Sequence, residues 1–189
     1  MNKPMNYENV STGTFTPAEI GGHHMIIKQV KESKTRTGKD MLVVAVDFAQ
    51  NDRQPKYFSN LFEQDTRPEK KWPNAGTVYV VCTDNGGQCS KNFKTFITSF
   101  EKSNGCQVDW CEGAKFAKQF AGKKIGGVYG RVEEEYNGER KIRSILRWFC
   151  EDARADDAKA PADKLLDQGA APIPAGFTPV EINTEEIPF

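Results

Sequence analysis

The sequence contains no apolar run long enough to cross a membrane, and its first residues lack the apolar stretch of a secretory signal. We therefore expect a cytoplasmic protein with no membrane partner. Histidine is scarce, with 2 residues in 189, and the five cysteines include no C-x-x-C pair. An odd number of cysteines without an export signal argues against a disulfide framework, and the spacings do not match a zinc site. Reduced thiols and no bound metal are expected.

Sequence patterns that carry catalysis are also missing. The chain has no phosphate-binding loop and no repeat of metal ligands. Asp47, Asp84 and Asp109 lie on different segments without a spaced carboxylate partner. We therefore predict no catalytic residues, no cofactor and no enzymatic activity, and we expect a binding function.

The formal net charge of zero is divided unevenly along the chain. Residues 1–150 hold 23 Lys and Arg against 17 Asp and Glu, which gives +6; residues 151–189 hold 3 against 9, which gives −6. A basic body indicates a polyanionic ligand, although this modest charge is also compatible with an ordinary solvated surface. The chain thus divides into a basic body and an acidic tail.

The first half of the body predicts β-strands. Two β-branched runs at 23–30 and 41–48 flank a polar turn that contains glycine, a pattern typical of a hairpin. A third strand is predicted at 56–62, and a further short extended run follows at 77–82.

The second half predicts a helical insertion and a second hairpin. Phenylalanine and isoleucine recur at helical spacing over 93–100, behind the N-cap residue Ser90, and a shorter helix is predicted at 113–120. Asn137-Gly138 then separates two β-compatible runs, which is a strong signal for a type I′ hairpin turn.

Three strands, a helical insertion and two strands follow the order of the OB-fold, a five-stranded Greek-key barrel that binds oligonucleotides on a sheet face and two loops. We therefore predict that residues 1–150 form a mainly β domain with a helical insertion, an OB-fold-like barrel of five strands. A generic α+β domain with a curved sheet stays open as the alternative.

The last hairpin combines cations with aromatic rings. Alternation along its final strand predicts a basic face with Lys141, Arg143 and Arg147, and an apolar face with Ile142, Leu146 and Trp148. Tyr129 and Arg131 are expected to share a face of the preceding strand and to join the cations. Such a surface suits a single nucleic-acid strand, because bases stack on rings at about 1–3 kcal/mol each while Lys and Arg contact phosphates. Ordinary solvated charges on an exposed sheet face are the alternative.

Two further segments hold candidate binding residues. The loop of the first hairpin is basic and suits contact with a phosphate backbone; its cations are Lys31, Lys34, Arg36 and Lys39. Arg53, Lys56 and Tyr57 enter the predicted third strand. Trp72, in the loop that follows, is placed equally well as a stacking platform or as a packing residue. These residues predict binding of single-stranded DNA without strong sequence preference.

After Cys150 the composition changes to Ala, Pro and Asp, which predicts a disordered linker over residues 151–180, with a short helix around 164–166. An acidic tip, predicted to dock on partner proteins, follows over residues 181–189. Its candidate docking residues are Glu185, Glu186, Ile187, Pro188 and Phe189.

With this tip the sequence resembles the bacterial single-stranded DNA-binding protein family, whose members join an OB domain through a disordered linker to an acidic tip ending in Ile-Pro-Phe. The resemblance implies that the tip docks into basic, apolar-floored pockets of replication, recombination and repair proteins. Phe189 would fill the pocket, and Glu185 and Glu186 would steer the encounter. It also implies a bacterial or phage-infected cell as the location.

The chain departs from that family in two respects. Its tip has fewer acids, and its body has a longer insertion before the fourth strand, which is closer to the divergent single-strand binders of phages and mobile elements. The family's tetramer contacts are therefore not carried over, and a homo-oligomer is left open. Two other functions also stay open: a protein-protein adaptor of a phage or mobile-element recombination system, and an RNA-binding OB protein.

Overall fold

Five antiparallel strands form an open sheet in a computed structural model of the protein, which describes residues 16–111, 114–136 and 138–166. The strands are β1 Gly21–Lys34, β2 Asp40–Phe48, β3 Thr77–Val81, β4 Lys124–Tyr136 and β5 Glu139–Cys150. Their spatial order is β3-β2-β1-β4-β5, so β3 and β5 are the two edges. The helices are α1 Tyr57–Gln64, α2 Lys91–Asn104 and α3 Ala114–Lys118. The predictions of a mainly β chain and of a helical insertion before β4 are confirmed.

One face of the sheet and the helices α2 and α3 enclose the core. Alternating residues of β1 and β2 that are at most 5% exposed line it: Met25, Ile27, Val30, Leu42, Val44, Val46 and Phe48. The helices contribute a cluster of contacting rings from Phe96, Phe100, Phe116 and Phe120. Each such side chain contributes about 1.5–3 kcal/mol on burial, so this layer fixes which face of the sheet points inward.

The strand predicted at 56–62 is wrong, because these residues belong largely to α1. The carboxylate of Asp47 explains the helix: it accepts the backbone N–H of Phe58 at 2.9 Å, the N–H of Ser59 at 3.3 Å and the Ser59 hydroxyl. The N-cap residue Lys56 makes no side-chain capping bond. The Asp47 carboxylate therefore satisfies the backbone amides of the first turn in its place. The run at 77–82 supplies the third strand instead, as β3.

Residues 151–166, which we call the strap, cross the outer face of the sheet over Gly22 and Gly130 and end in a parallel bridge to β4 at Lys164. Ala155 is 1% exposed, and the Ala158 carbonyl oxygen accepts the Gly22 N–H at 3.2 Å. Lys164 bridges to β4: its N–H donates to the Arg131 carbonyl at 3.0 Å, and its carbonyl accepts the Glu133 N–H at 2.8 Å. The prediction of a disordered linker is therefore wrong for 151–166, and so is the predicted helix around 164–166. Residues 167–189 lie outside the described residues.

Two glycines let the strap approach the sheet closely. A Cβ atom on Gly22 would stand 1.9 Å from the Ala155 carbonyl oxygen, and one on Gly130 would stand 2.3 Å from the Pro161 ring. Neither distance can accommodate a side chain without moving the strap.

The two histidines have different roles: His23 lies in the core, and His24 contacts the strap. His23 is fully buried, stacks on Phe48 with ring centroids 4.0 Å apart, and bonds through Nδ1 to Asp52 at 3.0 Å. Burial raises the pKa of Asp52, but hydrogen bonds from His23 and from two backbone amides outweigh that effect and leave the pKa lowered.

His24 ties the strap to β1. Its Nδ1 lies 2.8 Å from a carboxylate oxygen of Asp152, and its Nε2 lies 3.2 Å from one of Asp156. Burial lowers the pKa of His24, but the two carboxylates outweigh that effect, and the pKa is raised above the usual value. The Asp52 carboxylate, which accepts the His24 backbone N–H, also faces this residue.

We expect the strap to be held more tightly in acid than in alkali. Because the folded pKa of His24 is raised, its charged contacts stabilise the strap fully below the unfolded pKa of about 6.5 and are lost as pH rises through the folded pKa. Hydrogen-exchange protection of the Gly22 and Lys164 amides, corrected for intrinsic rates, should fall as the pH rises above about 6.5. In the variant His24→Gln the fall should disappear. Protection in the unaltered protein that does not change with pH would contradict this expectation.

Candidate nucleic-acid interface

An open row of side chains crosses three strands on the outer face. Lys31 of β1 pairs with Val43 of β2, and Val43 pairs with Tyr79 of β3. Paired residues of antiparallel strands point to the same face, about 5 Å apart, so these three side chains are neighbours. Lys31 is exposed, and Tyr79 is 64% exposed. A cation and an aromatic ring therefore share an open surface.

A β-bulge in β5 brings Trp148 to the same outer face. Leu146 pairs with Tyr129 and Trp148 pairs with Val128, so Arg147 is an extra residue between them. The inserted residue reverses the alternation of side chains. The prediction that placed Trp148 on the face opposite the cations is thus wrong. The indole is 43% exposed and lies beside Arg147.

A cleft of about 130 Å³ separates the two edge strands. It is lined by Val78, Tyr79 and Val80 of β3, by Asn92 and Thr95 of α2, and by Leu146, Arg147, Trp148 and Phe149 of β5. Val80 and Phe149 are buried, at 2% and 5% exposed. The cleft thus joins the open row to the bulged end of β5 and brings the two exposed rings to one place.

Two of the four predicted cations of the first hairpin loop bond to neighbouring groups, and the other two are exposed. Lys34 forms an ion pair with Asp40 at 2.7 Å, and the hydrogen bond to that carboxylate raises the pKa of Lys34. Lys39 donates to the Asp84 carbonyl at 3.1 Å and so ties the loop to the segment after β3. Arg36, like Lys31, is exposed and has no ion-pair partner in the described part of the chain. Among the described residues of this region, Lys31 and Arg36 are therefore the candidate cations that are open to a ligand.

The candidate residues at 53–57 lie between β2 and α1, and two of them contact the segment that precedes β1. Arg53 pairs with Glu19 at 2.9 Å, and the Tyr57 hydroxyl donates to the Thr16 carbonyl at 2.7 Å. Burial raises the pKa of Tyr57. Lys56 is exposed at the start of α1. These contacts fix the segment that precedes β1, and the structure does not bring Arg53 or Tyr57 to the open row.

Two predicted binding aromatics are packing residues. Tyr129 is fully buried, and its hydroxyl donates to the Ala75 carbonyl at 3.0 Å; burial raises its pKa well above the ordinary value. Strand alternation does keep Tyr129 and Arg131 on one side of β4, since the pairing with β5 shows no irregularity between them. The prediction that Tyr129 joins the cations on an open binding surface is wrong, because its ring is buried in the core. Trp72 is half-buried and donates from Nε1 to the Val46 carbonyl at 3.2 Å. Of the two roles considered for it, stacking platform and packing residue, it has the packing role.

Most predicted cations of the last hairpin have acidic neighbours. The pairs are Arg131 with Asp163 of the strap at 3.7 Å, Lys141 with Glu139 at 2.7 Å, and Arg143 with Glu134 at 3.5 Å. Exposed pairs of this kind contribute roughly 0–1 kcal/mol, so a polyanion can compete for the cations. Arg147 has no carboxylate partner among the described residues.

Sequence reasoning missed Tyr79 and misplaced Trp148. Strand alternation through Val78, Tyr79 and Val80 could have identified Tyr79 as an exposed aromatic residue, since valines flank it on both sides. For Trp148 no such signal exists, because the bulge that turns the ring outward is visible only in the pairing with β4.

Comparisons with known proteins found no matching family model and no significantly similar curated sequence. Among the described residues, no helix has the length and apolar character needed to span a membrane, and no group of three His, Cys, Asp or Glu side chains could hold a metal. The five predicted docking residues, Glu185 to Phe189, lie outside the described part of the chain. The outer face of the sheet therefore holds the candidate site.

Proposed function

We propose that the protein binds single-stranded DNA without strong sequence preference, through the open row and the cleft. The observation that supports this most is the presence on one face of two exposed rings, Tyr79 and Trp148, and of two cations, Lys31 and Arg147, that have no carboxylate partner among the described residues. Rings stack on any base, and cations contact phosphates without reading sequence. In a duplex the faces of the bases are covered by their neighbours, so a single strand is the better ligand.

We further propose that the domain is an OB-fold barrel closed by the approach of β3 to β5. Two features support this fold. β4 lies beside β1 and completes the 4-1-2-3 order of a Greek key, and the two edge strands line one cleft. The OB-fold uses the outer face near its second and third strands for oligonucleotides, which corresponds to the position of the open row.

The tip residues Ile187, Pro188 and Phe189 support a second part of the proposal. By resemblance to the single-stranded DNA-binding family, they would recruit replication, recombination and repair proteins to the coated strand. This part stands on the sequence of the tip alone.

A titration of labelled oligo-dT with the full chain tests the proposal, with duplex DNA and equal-length RNA as controls. We expect tight binding to the single DNA strand that weakens with salt by a logarithmic slope of about −0.7 for each phosphate contact, or roughly −2 for Lys31, Arg36 and Arg147 together. Equal affinity for duplex would contradict the proposal and favour the adaptor function. Stronger binding of RNA would favour the RNA-binding function.

A further inference from the structure

The cleft between β3 and β5 has an apolar floor and a polar rim. Val80 and Phe149 form the buried floor, while Asn92 and Thr95 on the first turns of α2 stand at the side. Within the described residues, neither the Asn92 carboxamide nor the Thr95 hydroxyl has a hydrogen-bond partner. Two donor–acceptor groups are therefore free beside an apolar slot.

The size of the cleft limits what can enter it. About 130 Å³ corresponds to roughly four water molecules at about 30 Å³ each, well below the roughly 300–1,000 Å³ of pockets for drug-sized ligands. Tyr79 and Trp148 both line the cleft, and no ring contact joins them in the described structure. There is room for one flat heterocycle and not for two.

We propose that the cleft takes one unpaired base of a bound DNA strand. Tyr79 and Trp148 stack on its faces, Asn92 and Thr95 bond to its edge, and Arg147 contacts the adjoining phosphate. A carboxamide and a hydroxyl can each donate and accept, so every base offers a matching edge. A paired base cannot enter, because its edge is already occupied. This inference rests on the proposed single-strand binding and assigns one subsite within it.

The double variant Asn92→Ala/Thr95→Val tests the subsite with two probes. One is oligo-dT; the other is a strand of equal length built only of abasic deoxyribose phosphates. We expect about five- to twentyfold weaker binding of oligo-dT and unchanged binding of the abasic strand, because only the former has a base edge to lose. The matched control is Asn60→Ala, an exposed asparagine of α1, which should bind both strands normally.

Unchanged oligo-dT affinity in the double variant, or an equal loss for both probes, would overturn the subsite while single-strand binding itself stood. Failure of the unaltered protein to bind oligo-dT would remove the proposed function as well. Unfolding midpoints of all variants exclude loss through misfolding.

Photocrosslinking of the unaltered protein provides a second readout that needs no variant. Oligo-dT carrying one 5-iododeoxyuridine should crosslink to Tyr79 or Trp148, because the halogenated base reacts with a ring on which it stacks. Crosslinks confined to aromatic residues elsewhere, such as Trp110, would overturn the assignment.

Discussion

Replacement of both Tyr79 and Trp148 by alanine is expected to weaken oligo-dT binding about 100-fold or more. Each stacked base contributes about 1–3 kcal/mol, and 1.4 kcal/mol corresponds to a factor of ten in affinity. The rings are 64% and 43% exposed, so their removal should leave the fold intact. Fluorescence anisotropy at low salt measures the affinity, and urea unfolding checks the stability.

The matched control for this double variant is Trp110→Ala. Trp110 is as exposed as Tyr79, at 66%, but it contacts Phe93 and Phe116 on the helical side of the core. It should leave the affinity unchanged. A comparable loss in the control, or none in the double variant, would show that the strand binds elsewhere.

Tyr129→Ala is expected to lower the free energy of unfolding by about 3–5 kcal/mol, the usual cost of deleting a buried aromatic side chain. Tyr129→Phe removes only the hydrogen bond to Ala75 and should cost about 1 kcal/mol. Urea unfolding followed by tryptophan fluorescence measures both. If the ring stacked on a base instead, the alanine variant would be stable and would bind poorly.

The phenylalanine variant separates folding from binding at this position. Its oligo-dT affinity should equal that of the unaltered protein, because Tyr129 is fully buried and cannot reach a ligand. A selective loss of affinity at unchanged stability would place the ring at the surface.

The elements that sequence reasoning placed correctly are those with local causes. Helix α2 follows the N-cap residue Ser90, whose hydroxyl accepts the Phe93 N–H at 3.1 Å, and its C-cap is Gly105 with a φ of 59°. The second hairpin turns at Gly138, with a φ of 77°. Each signal lies within a few residues of the structure that it specifies, so a reader of the sequence can find it.

Helix α1 and the strap were missed because distant residues create them. The group that caps α1 is Asp47, 11 residues before Phe58 in the chain. The strap is polar and poor in apolar residues, a composition typical of disorder, yet it is held by backbone bonds to Gly22 and Arg131 and by His24. Composition indicates how much apolar surface a segment can bury, but it does not show which backbone groups of the sheet are free to bond to that segment.

In the candidate site, too, some features follow from the local sequence and others depend on how distant strands pair. Residue type alone was enough to predict Lys31, Arg36 and Arg147 as candidate phosphate contacts. It could not show that Tyr129 faces the core, because a tyrosine on a strand is compatible with either face. The bulge at Arg147 depends on the registration of two strands, which no local pattern encodes.

The strap determines where the protein can be shortened. Cutting the chain after Cys150 would strip off Ala155 and the bond to Gly22, exposing backbone and apolar surface of β1 and β4. Any change in DNA binding would then mix the loss of the acidic tip with damage to the sheet. A truncation that removes the tip and spares the sheet should keep the chain at least as far as Leu166, which leaves the Lys164 bridge in place.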